Sequence, residues 1–351
     1  MAIEFNNARP WRQQWLTNEE QSGDISGWTL DTSLPGALQS SQAIITKNRV
    51  YLLGGNLTST VYTAAIDESG VIGVWTTGTA LPTGIGESQA VVTRNRVYLL
   101  GGYFTGNHYL STIYSAPINI DGTLGSWTTA GNIPAAFGQS QVVVTENRVY
   151  LFGGYTGGFL STVYTASINS SGIIGTWSAA TSLPGIFSGG QAFFTGSRIY
   201  LVGGWSSGGN VETVYTAPVD SAGFVGAWTT GTSLPNGLGF SQVVVTKGTV
   251  YLLGGVKPGG IYTTDTLKAT INIDGTIGAW SNGPVLAAGR HKSQAVVTSS
   301  RVYLLGGGIG SGAQATVQHA PFAGGLNDYM DQSYYIPPFW TNFHGESEII
   351  E

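Results

Sequence analysis

Apolar residues along this chain come in short runs bounded by turn formers. Gln42-Ala43-Ile44-Ile45-Thr46 is one such run, and Lys47-Asn48 breaks it. Arg49-Val50-Tyr51-Leu52-Leu53 follows and ends in Gly54-Gly55. Runs of this length, rich in β-branched and aromatic residues, predict strands, with a tight two-residue turn between the first two. Asn48 is expected to supply a positive φ in that turn. Thr60 to Ile66 alternates polar and apolar residues and predicts a third strand. Asp67-Glu68-Ser69-Gly70 predicts a turn, and Ile72 to Thr77, carrying Trp75, a fourth strand. A loop with Leu81-Pro82 then leads into a second copy of the same pattern.

The copies are regular. Tyr51 returns as Tyr98, Tyr150, Tyr200, Tyr251 and Tyr303, at spacings of 47, 52, 50, 51 and 52 residues. A period near 50 with four strands per period predicts a ring of repeated sheets. Trp75 recurs as Trp127, Trp177, Trp228 and Trp280 and is missing after the sixth unit. Its copy stands at the front, as Gly23-Asp24-Ile25-Ser26-Gly27-Trp28. This displacement implies closure, with Asp24 to Leu30 supplying the last strand of the last unit. The expected fold is therefore all-β: a six-bladed β-propeller of four antiparallel strands per blade, closed by an N-terminal strand. Residues 1–21 read as an arm, 22–322 as the propeller and 323–351 as an aromatic and acidic tail. The recurrent Trp and Tyr bury area between neighbouring sheets. The six glutamines Gln42, Gln89, Gln141, Gln191, Gln242 and Gln294 are expected near the axis, hydrogen-bonded to adjacent backbone.

Composition narrows the function. Of 351 residues only 9% are charged, and the net charge of -5 argues against a nucleic-acid surface. No apolar stretch is long enough for a membrane helix, and the start has no secretory apolar core. With no cysteine, disulfides, thiolate nucleophiles and thiolate metal sites are excluded. Asp121-Gly122 and Asp274-Gly275 read as β-turns in which Asp bonds its own backbone, not as calcium ligands. Nothing in the sequence implies a metal or a cofactor.

The repeated Gln…Val-Tyr-Leu-Leu-Gly-Gly phrase, then a Tyr, then a Trp followed by Leu-Pro, resembles the kelch repeat over about residues 22 to 322. The resemblance implies a propeller with its first strand innermost. Kelch propellers serve as enzymes, adhesins and protein-binding modules alike; the variable loops of one face, the few charges and the unusual termini favour a non-catalytic module, and similar propellers occur in phage tail and baseplate fibres and on bacterial surfaces. Localisation at a virion or extracellular surface is the matching expectation.

In a four-stranded meander the 2–3 loops and the inter-blade loops share one face. Their sequences differ from blade to blade, unlike the monotonous turns of the other face, so that face is expected to carry function. Tyr103, Phe104, Tyr109, Tyr155, Phe159, Trp205 and Tyr262, with His108, are candidates for stacking on sugar rings or anchoring a protein. Arg290-His291-Lys292 is the basic cluster of this face, suited to an acidic sugar or carboxylate. Expected partners are a glycan or surface receptor and other structural proteins, with the terminal segments able to make a homo-oligomer. An alternative is a carbohydrate-active enzyme, epimerase- or sialidase-like, or a purely protein-binding scaffold. Against the enzyme, Glu87, Glu212, Asp265, His108 and His291 are scattered over different blades, whereas acid–base catalysis needs titratable groups that converge.

Overall fold

A computed structural model describes residues 23–323 apart from Asn107, Glu146 and Ser311. The expected arm over 1–21 and the tail beyond residue 323 lie outside the described residues. Six four-stranded antiparallel sheets follow one another round an axis. In blade 1 the strands run Gln42–Thr46, Arg49–Leu53, Val61–Ala65 and Thr76–Thr77, innermost to outermost. Blades 2 to 5 repeat this order, with inner strands at Gln89–Val92, Gln141–Val144, Gln191–Phe194 and Gln242–Thr246. Blade 6 holds Gln294–Val297, Arg301–Leu305 and Val317–Pro321, and takes its outer strand from Thr29–Asp31. Thr29 pairs with His319, Leu30 with Gln318 and Asp31 with Val317, and Ile25 bridges to Phe322. The expected closure is observed. No helix among the described residues is long and apolar enough to cross a membrane.

The outer strand is shorter than the pattern predicts. In blade 1, Ile72 pairs with Ile66 and Gly73 N–H donates to the Ala65 carbonyl, after which the chain leaves the ladder until Thr76. The break turns Trp75 inward, 8% exposed, and leaves Val74 outside at 83%. Asn48 also departs from expectation. It is not left-handed, and its carbonyl is held by Ile66 N–H at 2.7 Å; in the corresponding turns Gly196 of blade 4 and Gly248 of blade 5 are left-handed, with φ of 87° and 74°.

The apolar core lies in the seams between sheets. Trp75 packs with Tyr303, Leu305, Val50 and Leu52 between blades 6 and 1, and Trp127 with Leu53, Leu81 and Leu99 between blades 1 and 2. Trp28 fills the seam between blades 5 and 6, with Tyr251, Leu253, Val302 and Leu304. The repeated tyrosines clamp each seam on the 3–4 turn face. Tyr51 Oη donates to Gly122 O at 3.2 Å, Tyr150 to Gly223 O at 3.0 Å and Tyr200 to Gly275 O at 3.2 Å, each glycine in the next blade's 3–4 turn. Those turns are held by an Asp or Asn side chain: Asp67 Oδ1 accepts Ser69 N–H at 2.9 Å and Val71 N–H at 2.8 Å, and Asp121 and Asp274 Oδ1 accept Thr123 and Thr276 N–H at 3.0 and 2.9 Å, the turn role read for Asp121 and Asp274.

In place of a turn glycine, the N-terminal segment offers Asp24 to blade 5. Tyr251 Oη donates to Asp24 Oδ1 at 2.6 Å, Ile25 N–H donates to Tyr251 Oη at 3.2 Å, and Lys268 pairs with Asp24 at 3.2 Å. Burial raises the Asp24 pKa, but the hydrogen bonds from Tyr251 and Lys268 and the lysine charge outweigh it, leaving the pKa below the usual 3.8. A carboxylate lowered in the fold contributes stability above its unfolded pKa and loses it as pH falls through the folded value. The latch is therefore expected to weaken below about pH 4. Asp24→Asn should lower the melting temperature at pH 7 and narrow its difference from wild type on acidification, by circular dichroism. A gap that widens toward pH 3 contradicts the linkage.

Candidate functional site

The 2–3 loops and the loops entering each blade meet on one face, as the meander requires. Gly86 bridges to Tyr103, Gly138 to Tyr155, Gly239 to Val256 and His291 to Gly308, each pair within one blade. The Gly-Gly pairs make this approach possible. Gly154 has φ of 110°, its N–H donates to Phe187 O at 2.7 Å, and a Cβ there would stand 2.8 Å from Gly138 O.

Nearest the axis, two residues ahead of each repeated glutamine, one residue per blade takes a left-handed conformation: Ser40, Glu87, Gln139, Gly189, Phe240 and Lys292, with φ from 50° to 58°. Their backbones close a ring. Glu87 N–H donates to Ser40 O, Gln139 to Glu87, Gly189 to Gln139, Phe240 to Gly189, Lys292 to Phe240 and Ser40 to Lys292, at 2.6–3.2 Å. Five of the six carry side chains where glycine is easier, at about 1 kcal/mol each. Beneath them lies the glutamine ring. Gln42 Nε2 donates to Ser41 O at 3.0 Å and Gln294 Nε2 to Ser293 O at 2.8 Å. Gln294 Oε1 accepts Ala43 N–H and Gln42 Oε1 accepts Ala90 N–H, so these amides also stitch neighbouring blades. The two rings line an axial mouth of about 400 Å³, part of it open to solvent.

A polar chain of side chains crosses this mouth. Lys292 Nζ lies 2.5 Å from Glu87 Oε1, Gln139 Nε2 donates to Glu87 Oε2 at 3.0 Å, and Ser188 Oγ donates to Gln139 Oε1 at 3.0 Å. Lys292 Nζ also stands 4.7 Å from the centre of the Phe240 ring, a cation–π distance.

Aromatic rings flank the mouth in two arcs. Tyr103 meets Tyr109 at 5.4 Å, Tyr109 meets Tyr155 at 6.0 Å, and Tyr155 meets Phe159 at 5.2 Å between centroids. Burial raises the Tyr109 pKa, and the Glu87 charge adds to it. The second arc runs Trp205–Phe240 at 5.9 Å, Phe240–His291 at 6.3 Å and His291–Tyr262 at 4.8 Å. Phe104 and His108 pair with each other at 5.4 Å on the short ribbon of blade 2. Except for Tyr262, at 38% exposure, and His108, which is also exposed, these aromatics are half-buried, because each leans on a neighbour.

The basic cluster divides. Arg290 does not face solvent: it is 2% exposed, and its Nη1 donates to Gly306 O and Thr316 O, both at 2.9 Å. It takes the slot that Ile85, Phe137, Phe187 and Leu238 fill in other blades, and its carbonyl accepts Gly255 N–H as theirs accept the corresponding glycines. Burial lowers its pKa to about 10, so it stays charged at neutral pH. His291 is half-buried, and burial with the Lys292 charge lowers its pKa to about 4. Of the three, Lys292 alone reaches the mouth as a cation. The scattered acids stay apart: Asp265 pairs with Lys257, and Glu212 is exposed. Glu87, Gln139 and Phe240 are mouth residues that sequence reasoning did not nominate as ligands. Their signal was the variable position two residues before each repeated Gln, beside a position that is Ser in five of the six blades.

The comparisons with known proteins agree with the fold. No curated protein matches the sequence. Among solved structures, one reported as "Structure of YjhT" shares the fold with a TM-score of 0.64 and 16% identity, over 83% of this chain and 95% of that one. A family model described as the KLHDC2/KLHL20/DRC7 Kelch-repeats domain matches residues 87–307, from the mouth residue of blade 2 to the Gly-Gly of blade 6. With more than half of the chain matched and six four-stranded blades in place, the chain belongs to the kelch-repeat family.

Proposed function

We propose that the protein is a non-catalytic recognition module that binds a glycan on the face formed by the 2–3 and inter-blade loops. The observation that carries this reading is the pair of aromatic arcs flanking a polar mouth. Rings presented beside hydrogen-bonding groups suit a ligand with one apolar C–H face and a fringe of hydroxyls. The charge arrangement favours binding over catalysis: Glu87, the carboxylate lining the mouth, is engaged by Lys292 and Gln139 rather than held ready for proton transfer. The reading extends to the surface of a virion, as a tail or baseplate fibre component, or of a cell, supported by the resemblance to such propellers. Detection of the protein in purified particles or surface fractions tests that part.

A glycan array followed by a turnover assay on every hit tests the rest. Trp205→Ala and Tyr155→Ala are each expected to weaken a hit by about 1–2 kcal/mol, roughly 5- to 30-fold in Kd, with an unchanged melting temperature. Conversion of the bound sugar, lost on Glu87→Gln, replaces the binder with an enzyme. Clean arrays beside a stable protein complex in pull-downs replace it with a protein-binding scaffold.

A further inference from the structure

The six ring positions share one backbone geometry and hold six different residues. Left-handed backbone favours glycine, yet only Gly189 is one, and there a Cβ would lie 2.6 Å from the Phe240 ring. Side chains kept where the backbone disfavours them mark a site with a task. Four of the remaining five converge: Lys292 on Glu87 at 2.5 Å, Gln139 on the other Glu87 oxygen at 3.0 Å, and Lys292 over Phe240 at 4.7 Å.

The charges at this mouth are already spoken for. Lys292 and Glu87 neutralise each other. His291 is neutral at physiological pH. Arg290 is turned away toward two carbonyls. An anion arriving here meets a lysine that is paired and a carboxylate beside it. The mouth offers instead a carboxylate that accepts and an amide that donates and accepts, and beside it stands the aromatic arc in which Trp205 leans on Phe240.

We propose that the axial mouth is a subsite for one neutral sugar residue, with Glu87 and Gln139 holding its hydroxyls and the aromatic arcs that flank the mouth taking its C–H face. This rests on the glycan reading above. It replaces the acidic ligand that Arg290-His291-Lys292 implies in sequence.

The full chain is tested by calorimetry with methyl glycosides of neutral hexoses and with sialic-acid- and uronic-acid-terminated glycans, at low and high NaCl. Binding of a neutral glycoside is expected to change by less than about twofold between the salts, because no net charge is paired. Glu87→Gln, which keeps size and removes the charge-assisted acceptor, should weaken it about tenfold, and Gln139→Ala by a similar factor. Thermal melting of each variant separates lost binding from lost fold. If an acid-terminated glycan is the tightest binder and weakens with salt, the neutral subsite is overturned while glycan binding stands. The same holds if neutral binding survives both substitutions in folded protein. If no glycan binds, the subsite and the glycan reading fall together.

Discussion

Trp28→Ala is expected to destabilise the protein by about 3–5 kcal/mol, a fall of roughly 5–15 °C in melting temperature by calorimetry. Trp28 is 7% exposed and packs into the seam between blades 5 and 6 against Tyr251, Leu253, Leu286 and Leu304. Removing the indole opens a cavity there and also loosens the strand that follows it. Thr29–Asp31 holds blade 6 through three residue pairs, reinforced by Asp31 Oδ2 at 2.8 Å from His319 Nδ1. Once that strand lifts, Val317–Pro321 becomes an unpaired edge open to other chains. Trp75→Ala, at matching burial in another seam, is the comparator: there the strand following the indole, Thr76–Thr77, is joined to its own blade by a short connection. Trp28→Ala should therefore add concentration-dependent association to the shared loss of stability. A melt within about 1 °C of wild type rejects the closure argument.

Gly153→Ala is expected to cost more than about 3 kcal/mol. The residue has φ of 57°, and a Cβ on it would lie 2.0 Å from the Phe187 carbonyl oxygen. That oxygen accepts Gly154 N–H at 2.7 Å, so relief of the clash breaks a bond that fastens blade 3 to the loop entering blade 4. Gly101→Ala repeats the strained φ, at 56°, with its nearest contact at 3.0 Å, and should cost about 1–2 kcal/mol. Gly158, with open space around its Cβ position and no left-handed φ, should tolerate alanine within about 0.5 kcal/mol. Urea titrations of the three variants give the order directly. Equal losses at Gly153 and Gly101 mean that strain alone operates and the carbonyl contact does not matter.

The propeller was legible because each blade repeats the same physical solution. Short apolar strands, a buried Tyr and a Trp recur at one period, and the misplaced Trp28 phrase announces how the circle closes. What escaped is what depends on neighbours. Trp75 was placed inside the fourth strand, since nothing in Gly73-Val74-Trp75 shows that the chain must leave the ladder to turn the indole inward. Arg290 reads as a solvated residue beside His291 and Lys292. Its register in the repeat carries the signal: Arg290 stands four residues before Gln294, where Leu38, Ile85, Phe137, Phe187 and Leu238 stand in the other units, and the fold shows that slot buried. The aromatic loops were legible as a set, but their stacking into arcs was not. Left-handed backbone at Glu87, Phe240 and Lys292 runs against local propensity, so the mouth emerges only when six blades are brought round one axis.

The closing pair also has a temporal consequence. Thr29 and its partner His319 are 290 positions apart, and ribosomes add roughly 5–20 residues per second. On the order of 15–60 seconds therefore separate the synthesis of the two halves of that contact. Through this interval Trp28 has no seam to enter, while the early blades can already stack on one another. The nascent chain is thus expected to grow as an open arc with an apolar leading end, shielded by chaperones until blade 6 arrives.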